Sequence, residues 1–447
     1  MDHRLRAPFN AAYSPDVYAA LRRGMAAGCE TPDFPFRLAE TPVFLSRELR
    51  DRCFRAASEV VALMSAPDTI ARCAERIPAD FRVPDTDALP HMVVVDFAIV
   101  RDARGELAPR LIECQGFPSL YGMQVVMGDV WSEVLAGMPG MPGAWSIYGD
   151  APGGAPGVAS SGASGSAPGL APRGAPLDRA AYLALLRRTV VADCDPEEVV
   201  LLDIDPVSQK TRPDFVATRR LLGVRDVCVT QLVRKGSRLF APRGAAGASM
   251  RRPGDTAPAD RDLVPVRRIY NRIVFDELIS RAIAPPFDYR EPLDLTWVPH
   301  PNWYWIWSKA TIPHLAHPAV PRAHLVSDLD APPADLSRYV LKPLFSFAGR
   351  GVIVDVDAAA LASIPRAARR DWLLMEKVEY APDLIAPDGA GIKVEIRVLF
   401  LRPDDSTDLV PAIELCRFSR GKMHGVDFNK GLDWVGSSVA IWPAAPR

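Results

Sequence analysis

The chain has 447 residues, enough for about two or three domains and a sizeable core. Its 53 Lys and Arg nearly balance 54 Asp and Glu, giving a formal net charge of -1, so no overall field draws it to nucleic acid or an anionic membrane. Hydrophobic residues make up 48% and charged residues 24%, ordinary for a soluble globular protein, and no apolar run reaches the roughly 18 residues of a membrane helix. The start, Met1-Asp2-His3-Arg4-Leu5-Arg6, lacks the apolar core of a secretory signal. Seven scattered cysteines form no C-x-x-C pair, which indicates neither a disulfide framework nor a zinc site and predicts a reducing, cytoplasmic setting.

In chain order, residues 1–90 are expected to be helical, with apolar spacing near 3.6 over Val17–Leu21 and Phe54–Met64. Two strands then span 92–115, interrupted by a turn at Asp102–Gly105, with a helix over Tyr121–Leu135. Residues 138–177 shift to Gly, Ala, Pro and Ser, a composition that buries too little apolar surface to fold and predicts a linker. Beyond it, helices are expected at Arg179–Val190, Phe215–Leu222 (ending at Gly223) and Phe275–Ile283. Strands are expected at Val199–Asp205, Val227–Leu232 and Arg268–Asn271. That alternation predicts a small parallel α/β layer over 178–295, followed by an antiparallel α+β unit from 296.

Chemistry-bearing residues concentrate at the two ends. Asp96 lies on the first of the early strands, and Glu113 and Gln115 on the second. Two carboxylates and an amide oxygen are hard donors suited to Mg²⁺. Cys114, between them, points to the opposite face and reads either as a core thiol or as a nucleophile. Late in the chain, Lys342 ends a strand that runs into a turn of small residues, Ser346, Ala348, Gly349 and Gly351. Glycines there let backbone N–H groups approach phosphate oxygens while the lysine supplies a point charge. An ordinary hairpin with a solvated lysine is the plainer alternative. No Walker A sequence occurs. Alternation puts Lys393, Glu395 and Arg397 on one strand face, a charged array or simply a polar outer surface.

The motifs K-P-x-x-S-x-x-G-x-G-V at 342–352, E-K-V at 376–378, the strand bearing Arg397, and the pair Arg417 and Asn429 together resemble the ATP-grasp family. The metal half that normally closes that fold here comes first, as D-F-A-I at 96–99 and E-x-Q-G at 113–116, so the resemblance is to a circularly permuted member. It implies ATP and Mg²⁺ as cofactors. Lys309, Lys342, Ser346, Gly349 and Gly351 would contact phosphates, and Glu376, Lys377 and Val378 adenine. Asp383 would hold the ribose, Asp96, Glu113 and Gln115 the metal, and Arg397, Arg417 and Asn429 the transferring charge. Asp383 and Glu376 are otherwise solvated strand-end charges. Lys309 precedes Pro313 too closely for the long helix it begins in relatives.

The implied organisation is an N-terminal helical region at 1–90, metal strands and a helix at 91–137 and the linker at 138–177. A pre-ATP-grasp α/β domain at 178–295 and the nucleotide-binding ATP-grasp domain at 296–447 complete it. The implied reaction is ligation of a small-molecule or peptide carboxylate to an amine through an acyl phosphate. Permuted members include eukaryotic glutathione synthetase, so a peptide-like or amino-acid substrate is expected. Phosphoryl transfer to an acceptor, or nucleotide binding without catalysis, are the other readings. Arg272, at a strand end, serves either a substrate carboxylate or a structural salt bridge; Trp303, Tyr304, Trp305 and Trp307 are either a stacking platform or core.

Overall fold

The computed structural model describes residues 1–117, 119–141, 145–149, 176–244, 250–251, 258–346, 349–421 and 426–444. Most of the predicted linker, and Phe347 and Ala348 of the glycine turn, lie outside these residues.

The N-terminal region is helical, as its periodicity predicts. Helix α1 (His3–Ala12) starts where the Asp2 carboxylate accepts from the Arg4 and Leu5 amides. Helix α2 (Pro15–Gly28) opens on proline, whose missing N–H is no loss in a first turn. After a two-residue strand β1 (Val43–Phe44), helix α3 (Arg47–Met64) is capped by Ser46 and buries Leu49, Cys53, Phe54, Ala57, Val60, Val61 and Met64 along one stripe. Helix α4 (Pro67–Ala74) is short.

Strands β2 (Met92–Arg101) and β3 (Leu107–Gln115) form the expected hairpin, closed by Asp102, whose carboxylate accepts from the Arg104 and Glu106 amides. Helix α5 (Tyr121–Ala136) follows, then β4 (Trp145–Ser146).

Helix α6 (Arg179–Val190), β5 (Val199–Asp203), α7 (Arg212–Leu222) and β6 (Arg225–Cys228) begin the α/β layer. A small antiparallel sheet of β7 (Val233–Lys235), β8 (Arg238–Pro242) and β9 (Leu263–Val266) interrupts it. Strand β10 (Arg268–Asn271), α8 (Phe275–Ser280) and β11 (Thr296–Val298) complete it. The order β11-β10-β5-β6 is parallel throughout, and Val199–Asp203 is buried on both faces as a covered parallel strand requires. Helix α8 stops at Ser280, short of the expected Ile283, because Ala282 turns to φ 51.

Next come α9 (Trp303–Ile306), β12 (Ala323–Leu325), β13 (Tyr339–Pro343), α10 (Ala358–Ala362) and β14 (Trp372–Glu376), the strands pairing antiparallel as β12-β14-β13. Strands β15 (Leu384–Ile385), β16 (Gly391–Leu401), β17 (Val410–Ser419), β18 (Gly436–Ser438) and β19 (Ala440–Pro443) finish the described chain.

The sheet that positions the site runs β18-β17-β16-β2-β3, all antiparallel, with β15 attached to β16. The early hairpin is therefore hydrogen-bonded to the late strands. One face carries Val93, Val95, Phe97, Ile396, Val398 and Cys416 into a core shared with α3. The other carries Val94, Leu399 and Leu415 into a second core under α6 and the parallel layer. Where those apolar residues stop on this second face, charged ones begin.

Candidate active site

The charged half of the sheet is set by register. Asp96 on β2 lies opposite Glu113 on β3 and opposite Arg397 on β16, and Glu395 lies opposite Arg417 on β17. Side chains directly across an antiparallel pair share a face, so these five converge. Arg397 grips Asp96 with two parallel bonds, Nε to Oδ1 and Nη2 to Oδ2, each 2.6 Å. Arg417 Nη2 donates to the same Asp96 Oδ2 at 2.9 Å and lies 2.7 Å from Glu395 Oε2. Burial alone would lower the Arg417 pKa, but Glu395 and Asp96 outweigh it and raise it. The Tyr380 hydroxyl donates to Glu395, and Arg397 Nη1 to Ser119 Oγ at 3.3 Å.

Two lysines approach from the other side. Lys309 Nζ lies 3.0 Å from Glu113 Oε1 and donates to the Ser346 carbonyl at 2.6 Å. Lys342, on β13, donates to the Ile112 carbonyl at 3.2 Å. Burial pushes the Glu113 carboxyl up, but Lys309 first, then Lys342 and Arg397, hold it below its ordinary value. Burial depresses the Lys342 ammonium, partly opposed by Glu113. Pro313 does limit the Lys309 segment to a 3₁₀ turn, Lys309–His314, yet this lysine sits at the centre of the cluster. Between Glu113, Gln115, Lys309, Phe345 and Ser346 is a cavity of about 10 Å³, room for one water.

Among the described residues, no three His, Cys, Asp or Glu side chains are gathered as a metal cluster. The donor chemistry nonetheless fits Mg²⁺, which takes one or two carboxylates and fills its remaining positions with water and phosphate oxygens. Glu113 and Gln115, two residues apart on one strand face, offer such oxygens. Asp96, expected beside them, spends both oxygens on guanidinium groups.

The glycine turn begins beyond β13. Gly349 and Gly351 both have φ 74, the left-handed region, and a Cβ on Gly351 would come within 2.9 Å of Pro343 Cγ. At the end of β14, Glu376 pairs with Arg322 and the Lys377 amide donates to the Arg338 carbonyl. Asp383 pairs with Arg101 at 2.7 and 2.9 Å. A cavity of about 340 Å³ opens between Lys377, Val378 and Glu379 and the hairpin residues Val100, Arg101 and Arg110.

Four expectations are narrowed by the structure. Arg272 is buried and donates to Asp214 Oδ2 at 2.7 Å, while Asp214 also accepts from the Leu120, Gly122 and Met123 amides at the start of α5. In this structure it forms the structural salt bridge, fixing a helix terminus. Asn429 is buried, and its amide oxygen accepts from Ser419 Oγ and from the Arg420 and Gly421 amides, so that oxygen shapes the loop. Trp303, Tyr304, Trp305 and Trp307 are buried core, with Trp305 touching Phe275 and Phe345. Cys114 is buried and its thiol is pushed well up by burial, as a core residue. Two members of the network received no assigned role from the sequence. Glu395 was visible only by its alternation with Arg397, and Tyr380 carried no signal.

No family model matches the sequence, and no curated protein matches it. Among solved structures, a glutathione synthetase-like effector from Globodera pallida, in its apo form, is similar in fold: 11% identity, TM-score 0.51, covering 96% of this chain and 97% of that one. The likeness is one of fold, a mixed α/β architecture with several sheets. No helix among the described residues is long and apolar enough to cross a membrane.

Proposed function

We propose that the chain is an ATP- and Mg²⁺-dependent carboxylate–amine ligase, built as a circularly permuted ATP-grasp enzyme. The observation that carries this reading is the convergence of Lys309, Lys342, Arg397 and Arg417 with Asp96, Glu113 and Glu395 across strands from both ends of the chain. Four cations against three carboxylates leave the cluster positive, suited to a polyanion. The 340 Å³ cavity beside Lys377 and Val378 is of a size for a base, with the Arg101–Asp383 pair at its edge for the ribose.

In this reading Lys309 and Lys342 transfer their charge from Glu113 and the Ile112 carbonyl to phosphate oxygens. Backbone amides around Gly349 and Gly351 cradle the same phosphates. Mg²⁺, held by Glu113 and Gln115, would neutralise charge on phosphate oxygens. Arg397 and Arg417, already fixed in direction, meet the charge that develops as phosphoryl transfer proceeds. A substrate carboxylate oxygen attacks the γ-phosphorus and ADP leaves. An amine nitrogen then attacks the acyl carbon, sheds a proton, and phosphate departs.

The test is purified protein with Mg·ATP, pooled carboxylates and pooled amines, read by phosphate release and mass spectrometry. An amide product with ADP and free phosphate supports the ligase. Phosphate retained on an acceptor makes it a phosphotransferase, and failure to bind ATP refutes the reading altogether.

A further inference from the structure

We infer that Asp96 is a positioning residue that aims Arg397 and Arg417, and that the metal is held without it. This rests on the ligase reading above and deepens it, dividing the acids of the cluster into two tasks.

The distinction comes from what each carboxylate already holds. Asp96 Oδ1 accepts Arg397 Nε, and Oδ2 accepts both Arg397 Nη2 and Arg417 Nη2, so three of its roughly four lone-pair directions are in use. Its side chain is 1% exposed, and that of Arg397 8%. Both arginines are rooted on strands of the same sheet, Arg397 directly across from Asp96. Arg397 is packed away from solvent, and Arg417, 32% exposed, is held between Asp96 and Glu395. A dication on Asp96 would have to displace or sit beside two guanidinium charges that already occupy both of its oxygens.

Glu113 differs in each respect. Its side chain is 21% exposed and its ion-pair partner is Lys309, a single point charge on a flexible stem. Moving one ammonium onto an incoming phosphate frees a Glu113 oxygen, next to the Gln115 amide on the same face. Glu395 resembles Asp96. It holds Arg417 from the other side and is itself held by Tyr380. Tyr380, Glu395, Arg417, Asp96, Arg397 and Ser119 thus form one chain of contacts whose effect is to fix two guanidinium planes.

The experiment measures Mn²⁺ binding in the presence of ADP by electron paramagnetic resonance, alongside turnover, for wild type, Asp96→Asn and Glu113→Gln. Expected is a kcat at least 100-fold lower in D96N with Mn²⁺ affinity within about twofold of wild type, whereas E113Q weakens Mn²⁺ at least tenfold. Weakening in D96N equal to that in E113Q overturns the assignment. Absence of Mn²⁺ and ADP binding in wild type overturns the underlying nucleotide reading instead. Because D96N leaves the buried Arg397 without its carboxylate, wild-type crystals with Mn²⁺ and a non-hydrolysable ATP analogue give an independent readout. The anomalous peak is expected within coordination distance of Glu113 and beyond it from Asp96; direct ligation by Asp96 overturns the proposal.

Discussion

Replacing Glu414 by Gln should remove much of the pH dependence of folding stability. Glu414 sits on the Val410–Ser419 strand, facing the α3 core rather than the charged face that bears Arg417, and is 1% exposed. Burial pushes its carboxyl from 4.5 up to about 8, against smaller opposing contributions from backbone hydrogen bonds and from Arg50. The folded chain therefore keeps a proton that the unfolded chain releases, and stability is greatest below pH 4.5 and is lost as pH rises through about 8. At about 1.4 kcal/mol for each pH unit in that window, the loss is on the order of 5 kcal/mol. Gln has the same shape and no charge to bury, so the variant should match wild type near pH 4.5 and exceed it by several kcal/mol at pH 8.5. Urea unfolding followed by tryptophan fluorescence across that range measures the difference. Asp203, raised by burial to about 7, acts in the same direction, so part of the falling slope should survive in the single variant and be smaller in Glu414→Gln with Asp203→Asn. Parallel pH profiles for wild type and E414Q would refute the reasoning.

Lys342→Met should abolish ATP turnover while leaving the melting temperature unchanged or slightly raised, because the ammonium is already disfavoured by burial; calorimetry and phosphate release check both halves. Arg272→Ala should cost about 3–5 kcal/mol by leaving buried Asp214 unpaired, with partial recovery in R272M/D214N. A substrate role would instead raise KM at unchanged stability. Gly116→Ala should destabilise by about 1–3 kcal/mol or more, since its Cβ would lie 2.3 Å from the Trp303 carbonyl oxygen, displacing the end of β3 that bears Gln115. Thermal melts of that variant should show the loss.

What the sequence reveals and what it conceals follow from distance along the chain. The acid hairpin is legible because two apolar runs either side of a turn at Asp102–Gly105 are local signals, and Arg179–Val190 and Arg268–Asn271 appear where spacing predicts them. Gly223 closes its helix in the left-handed region, as a C-terminal cap should. Partner choice is not local. Nothing near Arg272 announces Asp214, 58 residues earlier, and nothing near Glu395 announces that Tyr380 will reach it from the loop after β14. Pro313 denies Lys309 the long helix its motif implies, but the ammonium needs only one turn to reach Glu113. Asp96 reads as a metal ligand when seen with Glu113 alone; the two arginines that occupy it lie on strands supplied 301 and 321 residues later.

That separation governs how the molecule is made. The backbone edge of Met92–Arg101 finds its hydrogen-bonding neighbour only when Gly391–Leu401 has been synthesised. At ribosomal speeds of about 5–20 residues per second, 301 residues correspond to roughly 15–60 s of waiting. Throughout it, a valine-rich ribbon with an open side is available to neighbouring nascent chains. Production of the protein is thus most vulnerable between translation of its first third and emergence of its last fifty residues, and slower initiation or a holding chaperone should raise the folded yield.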